Sequence, residues 1–242
     1  MKNKSPKPKY RKIILKLSGE FLGSRRETFD QTAIRYVVEQ IVSAKKLDVR
    51  IGVVVGAGNI IRGRDVSWPN KIDADMCGMM ATVINGMLLL SMLNETEHEV
   101  RLSSALAVDG IAKRFAKFAD LEFYNSGGIV IFAGGTGNPL FTTDTAAALR
   151  AAQFGADVLI KGTKVAGVYS SDPQKNKQAT LYRKLTYDRA IKENLQVMDL
   201  AAFNICRAAE IPICVYDFTQ HQLTDVIAGK TPGTIISGGR DD

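Results

Sequence analysis

The sequence predicts an α/β fold, a mostly parallel sheet covered by helices on both faces. Three observations carry this. Short Val/Ile-rich runs alternate with segments of helical periodicity along almost the whole chain. The apolar runs are near-continuous, as strands buried on both faces require. Several of them end in glycine turns, KLSGE, GAGN and GGTGN. In such sheets these turns gather at the carboxyl ends of the strands and line one cleft.

Taken in order, KIILKLSG (Lys12–Gly19) reads as a buried strand entering a glycine turn. FDQTAIRYVVEQIVSAKKL reads as a helix: Ile34, Val37, Val38, Ile41 and Val42 recur at helical spacing, and Asp30 or Thr28 supplies the cap. VRIGVVVGAGN is a buried strand ending in glycines. DADMCGMMATVINGMLLLSML is a long, mostly apolar helix whose Met/Leu stripe suits a core or a subunit interface. RLSSALAV reads as a strand, DGIAKRFAKFAD as a helix, GGIVIFAGG as a strand and TTDTAAALRAAQFG as a helix. ADVLIKGTKVAGVYSSDP is a strand followed by a turn or hairpin, and SDPQKNKQAT is a polar loop. The chain closes with helix MDLAAFNICRAAE, strand IPICVYDF, helix LTDVIAG with Gly229 as its C-cap, and strand GTIIS.

The 242 residues, 45% apolar and 24% charged, fit one large domain over residues 12–242 behind a disordered basic tail, residues 1–11. The net charge of +7 is mostly that tail, because six of the basic residues lie in the first twelve. The body then carries about +1, which argues against a cationic nucleic-acid face. Cys77, Cys206 and Cys214 have neither disulfide-framework nor zinc spacing, and His98 and His221 lie far apart and are expected at the surface. Neither a zinc site nor a His-rich metal site is expected, while Asp144 could position either the lysines or a metal. No apolar run is read as approaching the roughly 20 residues of a membrane span. A cytoplasmic protein without membrane or nucleic-acid partners is the resulting expectation.

The glycine loop FAGGTGNPLFTTD (Phe132–Asp144), between a strand and a helix, suggests a bound phosphate. Both common phosphate motifs fail. TDVIAGKT (Thr224–Thr231) lacks the first glycine of a Walker loop and ends a helix instead of opening one. Gly56-Ala57-Gly58 and Gly135-Thr136-Gly137 lack the third glycine of a dinucleotide fingerprint. The wider constellation is more specific. Lys16 and Lys161 each end a strand beside a glycine turn, and Asp144 opens the helix after the loop. Paired cations at strand ends suit phosphoryl transfer, where negative charge spreads over the moving group.

KLSGE, VVVGAGNIIRG, MMATVINGM, GTGNPLFTTDTAA, KGTKVAGVYSSDP and MDLAAF occur in this order over almost the whole chain. Together they resemble the bacterial uridylate kinases of the amino acid kinase superfamily. The resemblance implies a three-layer αβα sandwich that moves the γ-phosphoryl group of ATP to UMP, with Mg2+ accompanying ATP. It implies acceptor sites mainly in the N-terminal half and donor sites mainly in the C-terminal half. Carried onto this chain, Lys16, Leu17, Ser18, Gly19, Gly58, Arg62, Thr163, Tyr169 and Asp172 match ATP-side positions. Ala57, Asp75 and the loop Thr136, Gly137, Asn138, Pro139, Leu140, Phe141, Thr142 and Thr143 match the UMP side. Lys16, Lys161, Asp144 and Asp199 form the expected catalytic set. A hexamer and inhibition by UTP are implied in the same way.

Two departures qualify the match. Ala57 stands in the middle of a turn that is usually three glycines, where a Cβ resists positive φ. FLGSRRETFDQ stands where many members carry a glycine-rich segment linked to activation by GTP, so weak or absent GTP activation is expected. Two other readings stay open on the residues alone: a superfamily kinase with another acceptor, and a non-catalytic nucleotide- or nucleic-acid-binding protein.

Overall fold

The computed structural model describes residues 7–61, 70–230 and 232–239. In chain order the elements are β1 (Lys12–Leu17), a single 3₁₀ turn (Gly19–Phe21), α1 (Gln31–Lys45), β2 (Arg50–Val55) and α2 (Lys71–Asn94). Next come β3 (Val100–Ser104), β4 (Lys113–Arg114), α3 (Lys117–Asn125), β5 (Ile129–Ala133), α4 (Thr143–Phe154) and β6 (Val158–Thr163). A two-stranded ribbon, β7 (Val168–Tyr169) with β8 (Leu181–Tyr182), leads to β9 (Lys184–Thr186), α5 (Tyr187–Lys192) and α6 (Leu200–Ala208). β10 (Ile213–Asp217), α7 (Leu223–Ile227) and β11 (Thr234–Ser237) finish the chain.

Nine strands form one sheet in the order β4-β3-β5-β2-β1-β6-β10-β11-β9. All its pairings are parallel except β10 with β11. Strand alternation sends Ile13, Leu15 and Leu17 into one core, shared with α1, α2 and α7. Ile14 and Leu159 enter the opposite core, shared with α3, α4, α5 and α6. The result is the three-layer αβα architecture expected. The chain leaves β1 towards β2 on one side and later returns to β6 on the other. The crevice at the carboxyl ends of β1 and β6 is thus the topological switch point, where open α/β sheets bind ligands.

Asp30 caps α1 by accepting from the Ala33 amide at 3.1 Å, and Gly229 follows α7 at φ +85. The structure corrects four readings. Within DGIAKRFAKFAD only the end is helical: Gly110 turns at φ +74, Lys113–Arg114 add an edge strand to β3, and helix starts at Lys117. The spacing of Ile111, Ala112 and Phe115 imitates a helix, but the sheet edge offers those backbone groups better partners. Lys9 and Tyr10, assigned to the disordered tail, both donate to the Ile227 carbonyl, and Tyr10 is buried, because its ring completes the core beside α7. α2 is long and apolar enough to cross a membrane by length and composition. Here it is a core helix, packing Val83, Leu89 and Leu93 on the sheet. His98 and His221 are half-buried.

Candidate active site

Lys16 and Lys161 are paired residues of adjacent parallel strands, so their side chains leave the sheet on the same face, about 5 Å apart at the backbone. That face is the α4 side, with Ile14 and Leu159. Two neighbouring ammonium groups repel, and Asp144 resolves the repulsion. It lies in the first turn of α4, with one oxygen 2.7 Å from Lys16 Nζ and the other 2.6 Å from Lys161 Nζ. Lys161 also donates to the Val197 carbonyl. Burial pushes the Asp144 carboxyl upward, but the two ammonium groups outweigh it and hold the carboxyl down at about 2. Burial depresses Lys161 while Asp144 pulls it back up, and Lys16 adds to the depression. The cluster is a buried cationic pair around a carboxylate that stays ionised.

Asp199 stands one layer behind. It caps α6, accepting from the Ala202 amide at 2.9 Å, and takes the hydroxyls of Thr142 and Thr145, the latter at 2.7 Å. Thr142 is itself the N-cap of α4, accepting from the Asp144 amide at 3.0 Å. Asp199 therefore ties the helix that carries Asp144 to α6, without contacting either lysine within hydrogen-bond range. Thr145 and Val197 were not singled out from sequence. A second hydroxyl in TTDT was the available signal for Thr145, whereas a backbone carbonyl such as that of Val197 leaves none.

On the β1 side, Ser18 caps the 3₁₀ turn and accepts from the Glu20 amide at 3.3 Å. Gly19 packs against the β2 turn so tightly that a Cβ would lie 2.7 Å from the Gly56 carbonyl oxygen and 2.8 Å from the Gly58 amide nitrogen. A side chain there would prise the two turns apart. The expected difficulty at Ala57 does not arise: neither Gly56, Ala57 nor Gly58 has a positive φ, so alanine fits without strain.

The loop after β5 differs. Gly134, Gly135 and Gly137 have φ of +74, +58 and +80, and so does non-glycine Leu140, at +69. Leu140 is held there by its amide, which donates to Asp75 at 2.8 Å. Thr136 stabilises the loop tip, its hydroxyl accepting from the Asn138 amide at 3.1 Å. Pro139 and Phe141 complete the loop, and Phe141 is exposed. Ala57, Asp75, Met79, Gly135, Phe141 and Thr143 line a cleft of about 140 Å³ between this loop, the β2 turn and α2. A larger cleft of about 540 Å³ opens beside Gly58, lined by Ser24, Arg25, Arg26, Thr28 and Lys164.

Lys16, Lys161 and Asp144 are thus brought together, and the loop, Ala57 and Asp75 assemble around one cleft. Leu17 is the buried last residue of β1. Thr163 ends β6, its hydroxyl within reach of the Val165 carbonyl at 2.7 Å and the Tyr216 carbonyl at 3.1 Å. Tyr169 pairs with Leu181 in the ribbon, and Asp172 accepts from the Gln174 amide at 2.9 Å, so both make local contacts. Arg62 lies outside the described residues.

A sequence model of the amino acid kinase family matches residues 11–217. The chain is 42% identical to the uridylate kinase of Colwellia psychrerythraea over 237 residues, 96% of each chain. It is 41% identical to that of Idiomarina loihiensis over 241 residues, 98% of each. The chain belongs to the uridylate kinases of the amino acid kinase family. Solved structures agree with this kinase along its length. The UMP kinase of Bacillus anthracis superposes with a TM-score of 0.93 at 31% identity, covering 96% of this chain and 98% of that one. The UMP kinase of Ureaplasma parvum gives 0.87 at 33% identity, over 94% and 98%.

Proposed function

We propose that the kinase transfers the γ-phosphoryl group of ATP to UMP, giving UDP and ADP. The observation that carries this is the Lys16–Asp144–Lys161 cluster at the switch point, with Asp144 directly following the GTGNPLFTT loop. The names and coverage of the relatives support the acceptor.

The nucleophile is a phosphate oxygen of UMP. Phosphate monoesters lose their second proton near pH 6, so the acceptor is already a dianion at neutral pH and needs no general base. Asp144, held at about 2, is a poor proton acceptor. Its work is to keep two ammonium groups close and aimed. A bond forms from the UMP oxygen to the γ-phosphorus while the bond to the β-phosphate oxygen breaks. Lys16 and Lys161 offset the charge that spreads over the moving group and its leaving oxygen. Asp75 accepts from the ribose hydroxyls, the Gly56–Gly58 turn and Arg62 grip phosphate, and Thr163, Tyr169 and Asp172 hold ATP.

Among the described residues no group of three or more His, Cys, Asp or Glu forms a metal cage, and both Asp144 oxygens face ammonium groups. The protein's donor set does not suit a resident Mg2+, which in this reading arrives on the ATP phosphates.

A panel of acceptors offered with ATP tests the reading. Rapid turnover of UMP with CMP and carboxylates ignored supports it, and a preference for a carboxylate acceptor overturns it. No ATP turnover, with salt-sensitive nucleic-acid binding, would favour the non-catalytic alternative. UTP inhibition competitive with UMP, GTP activation weak or absent, a homohexamer and a cytoplasmic location complete the proposal. The GTP expectation rests on FLGSRRETFDQ replacing the glycine-rich segment of other members, and strong stimulation by GTP at fixed ATP and UMP would remove it.

A further inference from the structure

Two buried polar side chains sit on the core face of α2, among Ala74, Met79, Val83, Gly86 and Leu89. Thr82 is 2% exposed and Asn85 is fully buried. Burying polar groups costs free energy unless every donor and acceptor is satisfied. Each of these residues is satisfied by a glycine turn of the candidate site.

Thr82 donates its hydroxyl proton to the Met79 carbonyl at 2.7 Å, the back-bond common for threonine in helices. Its oxygen then accepts from the Gly134 amide at 2.7 Å, where the FAGGTGN loop opens. Asn85 donates to the Gly56 carbonyl at 2.7 Å and to Asn59 Oδ1 at 2.8 Å. Asn59 returns a bond to Asn85 Oδ1 at 3.1 Å and gives its other amide proton to the Thr28 carbonyl at 2.9 Å. The two side-chain amides form a closed pair with all four N–H groups used. It fastens the β2 turn to α2 and to the segment preceding α1.

We propose that Thr82 and Asn85 are positioning residues for catalysis: through them α2 sets the spacing between the Gly134–Gly137 loop and the Gly56–Asn59 turn. The inference rests on UMP being the acceptor in the cleft between those turns. A cleft of about 140 Å³ bounded by both turns changes shape with small shifts of either one. The two bonds lie one helical turn apart on one rigid face, so they hold the turns at a fixed distance.

The test is steady-state kinetics with both substrates on Thr82→Val, Thr82→Ser and Asn85→Leu, beside melting temperatures. Leu89→Ala is the control, a fully buried position of the same helix whose truncation destabilises without freeing either turn. Thr82→Val is expected to raise the UMP KM about tenfold, roughly 1.4 kcal/mol, with the ATP KM within twofold. Thr82→Ser keeps the hydroxyl and restores the UMP KM. Asn85→Leu is expected to lower kcat about tenfold or more. Leu89→Ala leaves all constants within twofold despite a comparable or larger melting loss. Unchanged constants in Thr82→Val, no recovery in Thr82→Ser, or the same kinetic change in Leu89→Ala would each overturn the proposal. Amide hydrogen exchange separates this from failure of the UMP reading. Exchange at Gly134 should accelerate at least tenfold in Thr82→Val whatever the acceptor proves to be, and unaltered exchange there sinks the inference.

Discussion

Asp144 illustrates how a residue's neighbours decide its chemistry. A buried carboxylate alone would be pushed towards neutrality, yet two lysines keep it ionised. Its removal should act on the lysines. Asp144→Asn is expected to lower kcat about 100-fold or more, the scale of losing one transition-state stabiliser. The sign of the accompanying pH effect is fixed. Burial and Lys16 both depress Lys161, and Asp144 is its main upward pull, with Asp199 a smaller one. Without Asp144 the Lys161 pKa falls further, so the alkaline limb of the kcat profile moves to lower pH. An alkaline limb that stays in place in the variant would separate Lys161 from the limb. Lys161→Ala is expected to lose about 100-fold in kcat for the same reason, read by initial velocities. Asp75→Asn should raise the UMP KM with a smaller effect on ATP, and an unchanged UMP KM would discredit the ribose contact.

At the scale of elements, α2 meets the sheet closely enough that its glycines have opposite meanings. A Cβ on Gly86 would lie 2.7 Å from Leu102 Cδ1 and 3.3 Å from Ala133 Cβ. Gly86→Ala must displace the buried Leu102 side chain from its place between helix and sheet, and is expected to cost about 1–3 kcal/mol. At Gly78 nothing lies within 4 Å. Gly78→Ala should instead gain about 0.5–1 kcal/mol of helix stability. Thermal melts of the two variants should move in opposite directions, and a shared direction would contradict the close packing at Gly86. The same closeness brings Thr82 and Asn85 within reach of the glycine turns.

Over the whole molecule, α2 has a second face. Ile72, Met76, Met80, Ile84 and Met87 recur every three or four residues and are exposed. With Ile60, Ile61 and Leu106, three of them line an apolar groove of about 340 Å³. The proposed homohexamer would cover such a stripe with a second copy. Met80→Glu should then lower the particle mass measured by light scattering, and an unchanged mass would move the interface elsewhere. Since α2 also holds both glycine turns, loss of assembly is expected to reduce kcat as well.

The sequence alone determined the αβα layering and the placement of Lys16 and Lys161 at strand ends. Buried parallel strands are written as apolar runs, and strand-to-turn boundaries are written as glycines, both local signals. The failed Walker and dinucleotide patterns were equally legible. Three things waited for the tertiary structure. The helix expected from Asp109 became mostly turn and edge strand, because pairing with β3 outcompeted a local periodicity. That Asp144 bridges both lysines depends on the β1–β6 register and on where α4 lands, neither of which is written locally. The polar grip of α2 on the glycine turns joins residues 26 to 52 positions apart. In sequence, Thr82 and Asn85 were polar letters of MMATVINGM with no role of their own. Burial made them costly alone, and only the folded chain supplies the partners that offset the cost.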